Sequence, residues 1–96
     1  MDLRHLQTFV TVAELGTVTL ASQRLHISQP ALSRQIADLE DALKLRLFDR
    51  IGRRLVLSRA GEQLLGDCRG LLNASRALVD RAASLQAGDT GVLRVG

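Results

Sequence analysis

The sequence is poor in aromatic residues, proline and cysteine. Its 96 residues include two Phe, no Trp or Tyr, a single Pro and a single Cys, while 46% are hydrophobic. A chain of this length forms one small domain with at most an appendage, and its core must be aliphatic. Because Cys68 has no second cysteine to pair with, no internal disulfide forms, which is typical of a cytoplasmic protein.

Features of membrane proteins, secreted proteins and enzymes are also missing. No apolar run approaches the roughly 20 residues that span a bilayer, and charges interrupt the apolar positions of residues 1–20, unlike a signal peptide. His5 and His26 have no Cys, Asp or Glu at ligand spacing, so we predict no metal site. With no nucleophile–base arrangement and no phosphate-binding glycine motif, the sequence predicts neither an enzyme nor a cofactor.

Positive charge is concentrated in one part of the chain. The net charge is only +3, but residues 44–62 hold six basic residues against two acidic ones. Five of the six are Arg, whose guanidinium suits bidentate contact with phosphate or guanine. Such a cluster indicates a nucleic-acid partner. A solvated arginine-rich loop is the alternative.

Residues 17–43 have the pattern of two helices joined by a tight bend. Thr17 or Thr19 can cap the first helix, and the bend falls at residues 25–27. Ser28 is placed to cap the second helix, and Pro30 lies in its first turn, where a missing N–H has no cost. Residues 3–15 predict a further helix, which we expect to pack behind this pair.

The second helix of the pair has two dissimilar faces. An apolar stripe runs along one of them: Leu32, Ile36, Leu39 and Leu43. The other side begins with polar and small residues: Gln29, Pro30, Ser33 and Arg34. Such a face suits close approach to the major groove of DNA, where the N-terminal residues of a recognition helix reach base edges. Farther along, residues 48–57 predict a two-stranded wing with its turn at Gly52.

Four segments resemble LysR-type transcriptional regulators in order and spacing. The first is residues 25–36, Leu-His-Ile-Ser-Gln-Pro-Ala-Leu-Ser-Arg-Gln-Ile, followed by Leu39-Glu40. The others are Leu-Arg-His-Leu-Gln-Thr-Phe at 3–9, Leu-Phe-Asp-Arg with Gly-Arg-Arg within 47–54, and Leu-Ser-Arg-Ala-Gly at 57–61. The resemblance covers nearly the whole chain and implies a DNA-binding winged helix-turn-helix.

The resemblance also implies which residues meet DNA. The family positions that face the operator are matched here by Gln29, Ser33 and Arg34, with Pro30 beside them. We expect Arg34 to bind guanine or phosphate and Gln29 to read a base edge. Phosphate or minor-groove contacts are expected from the wing residues Arg50, Arg53 and Arg54. Thr19 is expected near a phosphate.

Simpler roles stay open for several of these residues. Ser33 and Arg34 can instead form a solvated helix face. Arg50 can instead pair with Asp49 or another carboxylate and only brace the wing. Thr19 can serve as a helix cap and nothing more.

Residues 58–87 predict one long helix with Ser58 as its N-cap. Apolar and small side chains recur four and three residues apart, a heptad pattern that favours pairing with a second copy. The residues assigned to this dimer contact are Leu64, Cys68, Leu71, Leu78, Ala82 and Leu85. We interpret Cys68 as a small apolar residue and not as a redox sensor. A helix folded back onto its own domain is the alternative, whereas the resemblance implies an antiparallel pair.

The last nine residues predict a change of structure. Gly88-Asp89-Thr90-Gly91 indicates a hinge, and residues 92–96 alternate like a strand. The resemblance implies that an effector-binding domain begins here. We therefore expect the N-terminal piece of a longer regulator, controlled by a small molecule that binds the missing domain.

The sequence therefore predicts a mainly α fold with three parts. Residues 1–57 form a winged helix-turn-helix with three helices and a two-stranded wing, residues 58–87 a linker helix, and residues 88–96 a hinge. The expected function is binding of double-stranded DNA at an interrupted palindrome by a homodimer, in the bacterial cytoplasm at the nucleoid. Recognition helix 28–43 enters the major groove and wing 48–57 lies on the backbone or minor groove. Whether dimers form tetramers stays open, and a protein-interaction module is the alternative.

Overall fold

The residues that the structure describes fold into four helices and one two-stranded sheet. The elements are, in order, α1 (Leu3–Leu15), α2 (Val18–Leu25), α3 (Gln29–Leu43), β1 (Phe48–Ile51), β2 (Arg54–Leu57) and α4 (Arg59–Val95). This computed structural model describes residues 1–52 and 54–95, with side chains to Gly88. It confirms the predicted winged helix-turn-helix followed by a long helix.

The boundaries of the first three helices follow from caps in the sequence. The Asp2 carboxylate accepts a hydrogen bond from the backbone N–H of Arg4 at 2.9 Å. Its hydrogen bonds with the Arg4 guanidinium and with this N–H lower the pKa of Asp2. Gly16 ends α1 in the left-handed region, with φ 82°. Thr17 caps α2 and Ser28 caps α3, each by accepting from a backbone N–H three residues later.

The core is aliphatic apart from one aromatic pair. The rings of Phe9 and Phe48 meet edge to face with their centroids 5.4 Å apart. The predicted stripe of α3 points inward, since Leu32, Ile36 and Leu39 are buried. α1 therefore packs behind the helix-turn-helix as predicted, and Phe9 connects it to the base of the wing.

The wing is an antiparallel pair with no offset between its strands. Phe48 lies opposite Leu57, and Ile51 lies opposite Arg54, so a two-residue turn joins the strands. Gly52 occupies the first turn position with φ 63°, a conformation that residues with a β-carbon adopt at a cost. Arg53, predicted to bind DNA from this turn, lies outside the described residues.

The first half of α4 completes the core. The Ser58 hydroxyl accepts from the N–H of Gly61 at 2.9 Å, so Ser58 is the N-cap as predicted. Leu64, Leu65 and Leu72 pack against the core from this helix. The structure corrects the assignment of Cys68 to a dimer contact, because its side chain is 5% exposed inside its own domain.

The predicted hinge and strand are wrong for residues 88–95. α4 continues to Val95 through Gly88 and Gly91 without a break. Glycine in a helix interior costs only about 1 kcal/mol relative to Ala, so the hydrogen-bonded backbone tolerates both. Gly96 lies outside the described residues, and the beginning of a further domain stays a prediction.

Candidate nucleic-acid interface

A concave surface lies between the helix-turn-helix and the wing. Its lining comes from the start of α2, the first half of α3 and both strands: Thr17, Val18, Thr19, Gln29, Ser33, Arg50 and Leu55. Four of the predicted DNA-binding residues therefore belong to one surface, although α2 and the wing are about 30 residues apart in sequence.

The bend between α2 and α3 sets how far α3 projects. His26 ends α2 in the left-handed region, with φ 57°, and the N–H of Ile27 donates to the carbonyl of Ser22 at 3.1 Å. Ser28 then caps α3, and its hydroxyl accepts a hydrogen bond from the backbone N–H of Ala31. Since Ala21 and Leu32 are fully buried, the two helices pack closely and leave the N-terminal turn of α3 in solvent.

Thr19 and Gln29 form a polar pair at the rim of this surface. The Gln29 amide Nε2 donates to the Thr19 hydroxyl at 3.3 Å, and both side chains are exposed. The capping alternative for Thr19 is contradicted, because Thr17 caps α2. The pair positions the Gln29 amide while its Oε1 stays available as an acceptor.

Arg34 extends into solvent from the second turn of α3. Within the described part of the chain it has no hydrogen-bond or ion-pair partner. Pro30 is also exposed, whereas Ser33 is half-buried beside Val18 and Leu55. The accessible guanidinium is thus free to bind an anion or a base edge.

The two described arginines of the wing lie on opposite faces of the sheet. Arg50 shares a face with Leu55, its cross-strand partner, and with Phe48, and so it faces the concave surface. Arg54 pairs with Ile51 on the other face. Neither guanidinium has an ion-pair partner among the described residues, which removes the alternative that Arg50 pairs with Asp49.

A comparison with known families identifies the fold. Residues 3–62 match the family model described as bacterial regulatory helix-turn-helix protein, lysR family. The chain belongs to the LysR family.

Relatives within the LysR family support the assignment along the whole chain. TfdS from Cupriavidus pinatubonensis (strain JMP 134 / LMG 1197) is 44% identical over 96 residues, which are 100% of this chain and 32% of TfdS. ClcR from Pseudomonas putida is 42% identical over 95 residues, 99% of this chain and 32% of ClcR. Both are named HTH-type transcriptional regulators, which is not an enzymatic role. The chain thus spans less than half the length of these curated relatives.

The similar solved structures include complexes with DNA. The structure titled CbnR_DBD-DNA complex has a TM-score of 0.83 and 38% identity, covering 88% of this chain and 97% of that one. The BenM_DBD/catB site 1 DNA complex has a TM-score of 0.84 and 35% identity, covering 88% and 96%. The winged helix-turn-helix followed by a long helix is therefore the architecture of LysR-type DNA-binding domains.

The outer half of α4 presents a separate apolar surface in this LysR chain. Leu78 is 68% exposed and Leu85 is 56% exposed, and Leu71, Val79 and Ala82 are exposed as well. Leu64, by contrast, is half-buried against the core. Of the six predicted dimer residues, only Leu71, Leu78, Ala82 and Leu85 are thus free to meet another molecule.

Residues 1–52 and 54–95 hold neither a cluster of metal ligands nor a membrane-spanning helix. No group of three or more His, Cys, Asp or Glu is close enough to hold a metal ion. No helix there is long and apolar enough to cross a membrane. Burial, aided by the neighbouring Asp67, raises the pKa of the Cys68 thiol, which keeps it in the less reactive protonated form.

No role was predicted from the sequence for Glu40, which lines a pocket together with Ser33 and Arg50. Its carboxylate accepts hydrogen bonds from the backbone N–H groups of Leu47 and Phe48 at 2.7 and 3.3 Å. These donors belong to the bend that leads into the wing, and no helical or strand periodicity reveals such a bend. The one signal in the sequence was a carboxylate seven residues after Ser33, on the same helix face.

Proposed function

We propose that this LysR chain binds double-stranded DNA as a homodimer and regulates transcription from an interrupted palindromic site. The first turns of α3 enter the major groove, and the wing lies on the backbone or in the minor groove. Each copy reads one half-site, and the half-sites lie about one helical turn apart. In the bacterial cytoplasm such a protein acts at the nucleoid.

The observation that carries this proposal is the unpaired guanidinium of Arg34 at the exposed start of α3. An arginine here is placed to bind guanine through two hydrogen bonds, with the Gln29 amide one turn away as a second reader. Pro30 and Ser33 are small enough to let the helix approach base edges. The DNA complexes of CbnR_DBD and BenM_DBD, which share this architecture, support the same mode of binding.

The wing supplies contacts that do not depend on sequence. Arg50 faces the concave surface beside α3, and Arg54 lies on the other face of the sheet. Arg53, which lies outside the described residues, is expected to act in the same way. Such residues neutralise phosphates and release counterions, so they raise affinity for all DNA and make it sensitive to salt.

The exposed stripe of α4 supports a dimer. Leu71, Leu78, Ala82 and Leu85 are placed to pack against the same stripe of a second copy. A paired α4 covers these side chains and ties two α3 helices to one palindrome. A small-molecule effector acts through a further domain, as expected for a chain that spans 32% of TfdS.

Selection of bound sites from random DNA, followed by anisotropy titrations at two salt concentrations, tests the proposal. We expect tight, salt-sensitive binding to the selected site. Arg34→Ala should weaken it by about 1–3 kcal/mol with little change on random DNA. Arg53→Ala should weaken both and flatten the salt dependence.

Two results would contradict this assignment. Equal losses on selected and random DNA for Arg34→Ala would remove Arg34 as a base reader. Absence of salt-sensitive binding by the unmodified chain would favour a protein-interaction module that uses the stripe of α4.

A further inference from the structure

The backbone of residues 46–48 is held from both sides. From α3, Glu40 Oε2 accepts the N–H groups of Leu47 and Phe48. From the start of α4, the N–H of Ser58 donates to the carbonyl of Leu47 at 2.9 Å, and its hydroxyl donates to the carbonyl of Arg46 at 2.6 Å. We call residues 46–48 with Glu40 and Ser58 the clamp.

The clamp leaves little freedom at the base of the wing. Leu47 and Phe48 are buried, and a β-carbon added to Gly61 would collide with the carbonyl oxygen of Leu47. α4 is therefore in direct contact with this backbone at Gly61. Beyond the clamp the wing has only two short strands, so its direction depends on how residues 46–48 are held.

Glu40 places a carboxylate next to the proposed DNA-binding surface. Glu40 lines a pocket next to the concave surface, and Ser33 and Arg50 line both, so the proposed ligand nearby is a polyanion. A solvated carboxylate there would oppose DNA binding. Glu40 is half-buried, however, and one of its oxygens accepts hydrogen bonds from two backbone N–H groups. Its hydrogen bonds account for its presence better than its charge does.

We infer that Glu40 is a positioning residue, which sets the angle of the wing against α3 and thereby brings Arg50 to the DNA backbone. Phe48 begins β1 at the clamp, and Arg50 follows two residues later on the same face of the sheet. Glu40 itself touches no DNA. This inference rests on the proposed function, since it assigns Glu40 a part in the same interface.

Two substitutions separate hydrogen bonding from charge. Glu40→Gln removes the charge and keeps an oxygen that accepts from the same N–H groups, whereas Glu40→Ala removes both. On the selected DNA site we expect Glu40→Gln to bind within about threefold of the unmodified chain. We expect Glu40→Ala to bind about tenfold more weakly, comparable to the loss of one phosphate contact.

Combining these substitutions with Arg50→Ala shows whether Glu40 acts through the wing. Arg50→Ala should weaken binding about tenfold in the unmodified and Glu40→Gln chains, but less than about twofold in the Glu40→Ala chain. Arg34→Ala is the matched control, because α3 does not depend on the clamp. Its effect should be the same in all three backgrounds.

Several outcomes would overturn the inference. Equal binding by Glu40→Ala and Glu40→Gln would reduce Glu40 to a surface charge. Suppose that Arg50→Ala weakens binding by the same factor in the Glu40→Ala chain as in the unmodified chain. Partial unfolding, and not a displaced wing, would then explain the effect of Glu40→Ala, because a smaller folded fraction weakens the binding of every variant by the same factor. Failure of the proposed function is distinct, since the unmodified chain itself would then lack selective binding.

Discussion

The two halves of the chain differ in how far they bury their apolar side chains. Up to Leu72, α1, α3, the wing and the start of α4 share one core, in which Phe9 and Leu39 are fully buried. Beyond it, α4 continues as a single helix with every described side chain from Arg76 to Gly88 exposed. Isolated helices are marginal in water, so the second copy that we propose would stabilise this half. The first half is a folded domain, and the second offers an exposed apolar stripe to the proposed partner copy.

A core substitution should have the largest effect on stability, and it should act on the folded domain and not on the outer half of α4. Phe9→Ala removes the ring that packs on Phe48 and should lower the free energy of unfolding by about 3–5 kcal/mol. The loss should not depend on protein concentration. Urea unfolding at two protein concentrations measures it, with Leu78→Ala as the control, whose loss should shrink upon dilution because dissociated chains gain no stability from the contact. A concentration-independent loss for Leu78→Ala would mean that α4 has no partner.

Charges placed on the stripe of α4 should separate the two copies. Leu78→Asp combined with Leu85→Asp should give monomers in sedimentation and weaken binding to a two-half-site DNA by roughly 100-fold through lost avidity. Binding to one isolated half-site should stay unchanged.

A charge-matched control exists on the opposite face of α4. Ala83→Asp with Ala87→Asp adds the same charges there, and we expect it to leave the dimer intact. If this control also gave monomers, the contact would lie elsewhere on the helix.

Two glycines of α4 should respond with opposite signs. Gly61→Ala brings a β-carbon onto the carbonyl of Leu47 and should destabilise the chain by about 1–3 kcal/mol. A β-carbon at Gly66 would meet no atom within 4 Å, so Gly66→Ala should stabilise the chain by up to about 1 kcal/mol. Thermal unfolding compares the two, and a tolerated Gly61→Ala would refute the close approach at the clamp.

The smallest expected effect concerns the reactivity of the Cys68 thiol. Burial raises the pKa of the Cys68 thiol, so the native chain should react slowly with a thiol reagent near neutral pH and faster once urea unfolds it. Because the native thiol holds its proton more tightly, stability should fall as pH rises past the ordinary pKa of cysteine. Equal labelling rates with and without urea would place Cys68 at a surface.

The sequence predicted best where local chemistry determines the structure. Gly16, Thr17 and Ser28 mark helix ends through their own backbone or side-chain preferences, and α1 and α3 have the predicted boundaries within a residue. Glycine alone is a weak helix breaker, so Gly88 and Gly91 misled the prediction of a hinge.

Contacts distant in sequence were harder to predict. A heptad pattern shows that Cys68 is covered but not by what, and the structure covers it with its own domain. For the site, the residues of α3 were predicted from one helix face. The clamp was missed because the N–H groups that Glu40 binds become neighbours only after the chain turns into the wing.

The length of α4 has a mechanical consequence. With about 1.5 Å of rise per residue, its 37 residues reach roughly 55 Å from the point where Ser58 grips the wing. A tilt of about 5° at that fulcrum displaces the far end by roughly 5 Å, and a shift imposed on the far end returns as the same small rotation of the wing. The helix is therefore a lever, and its short arm is the wing that we propose to bind DNA.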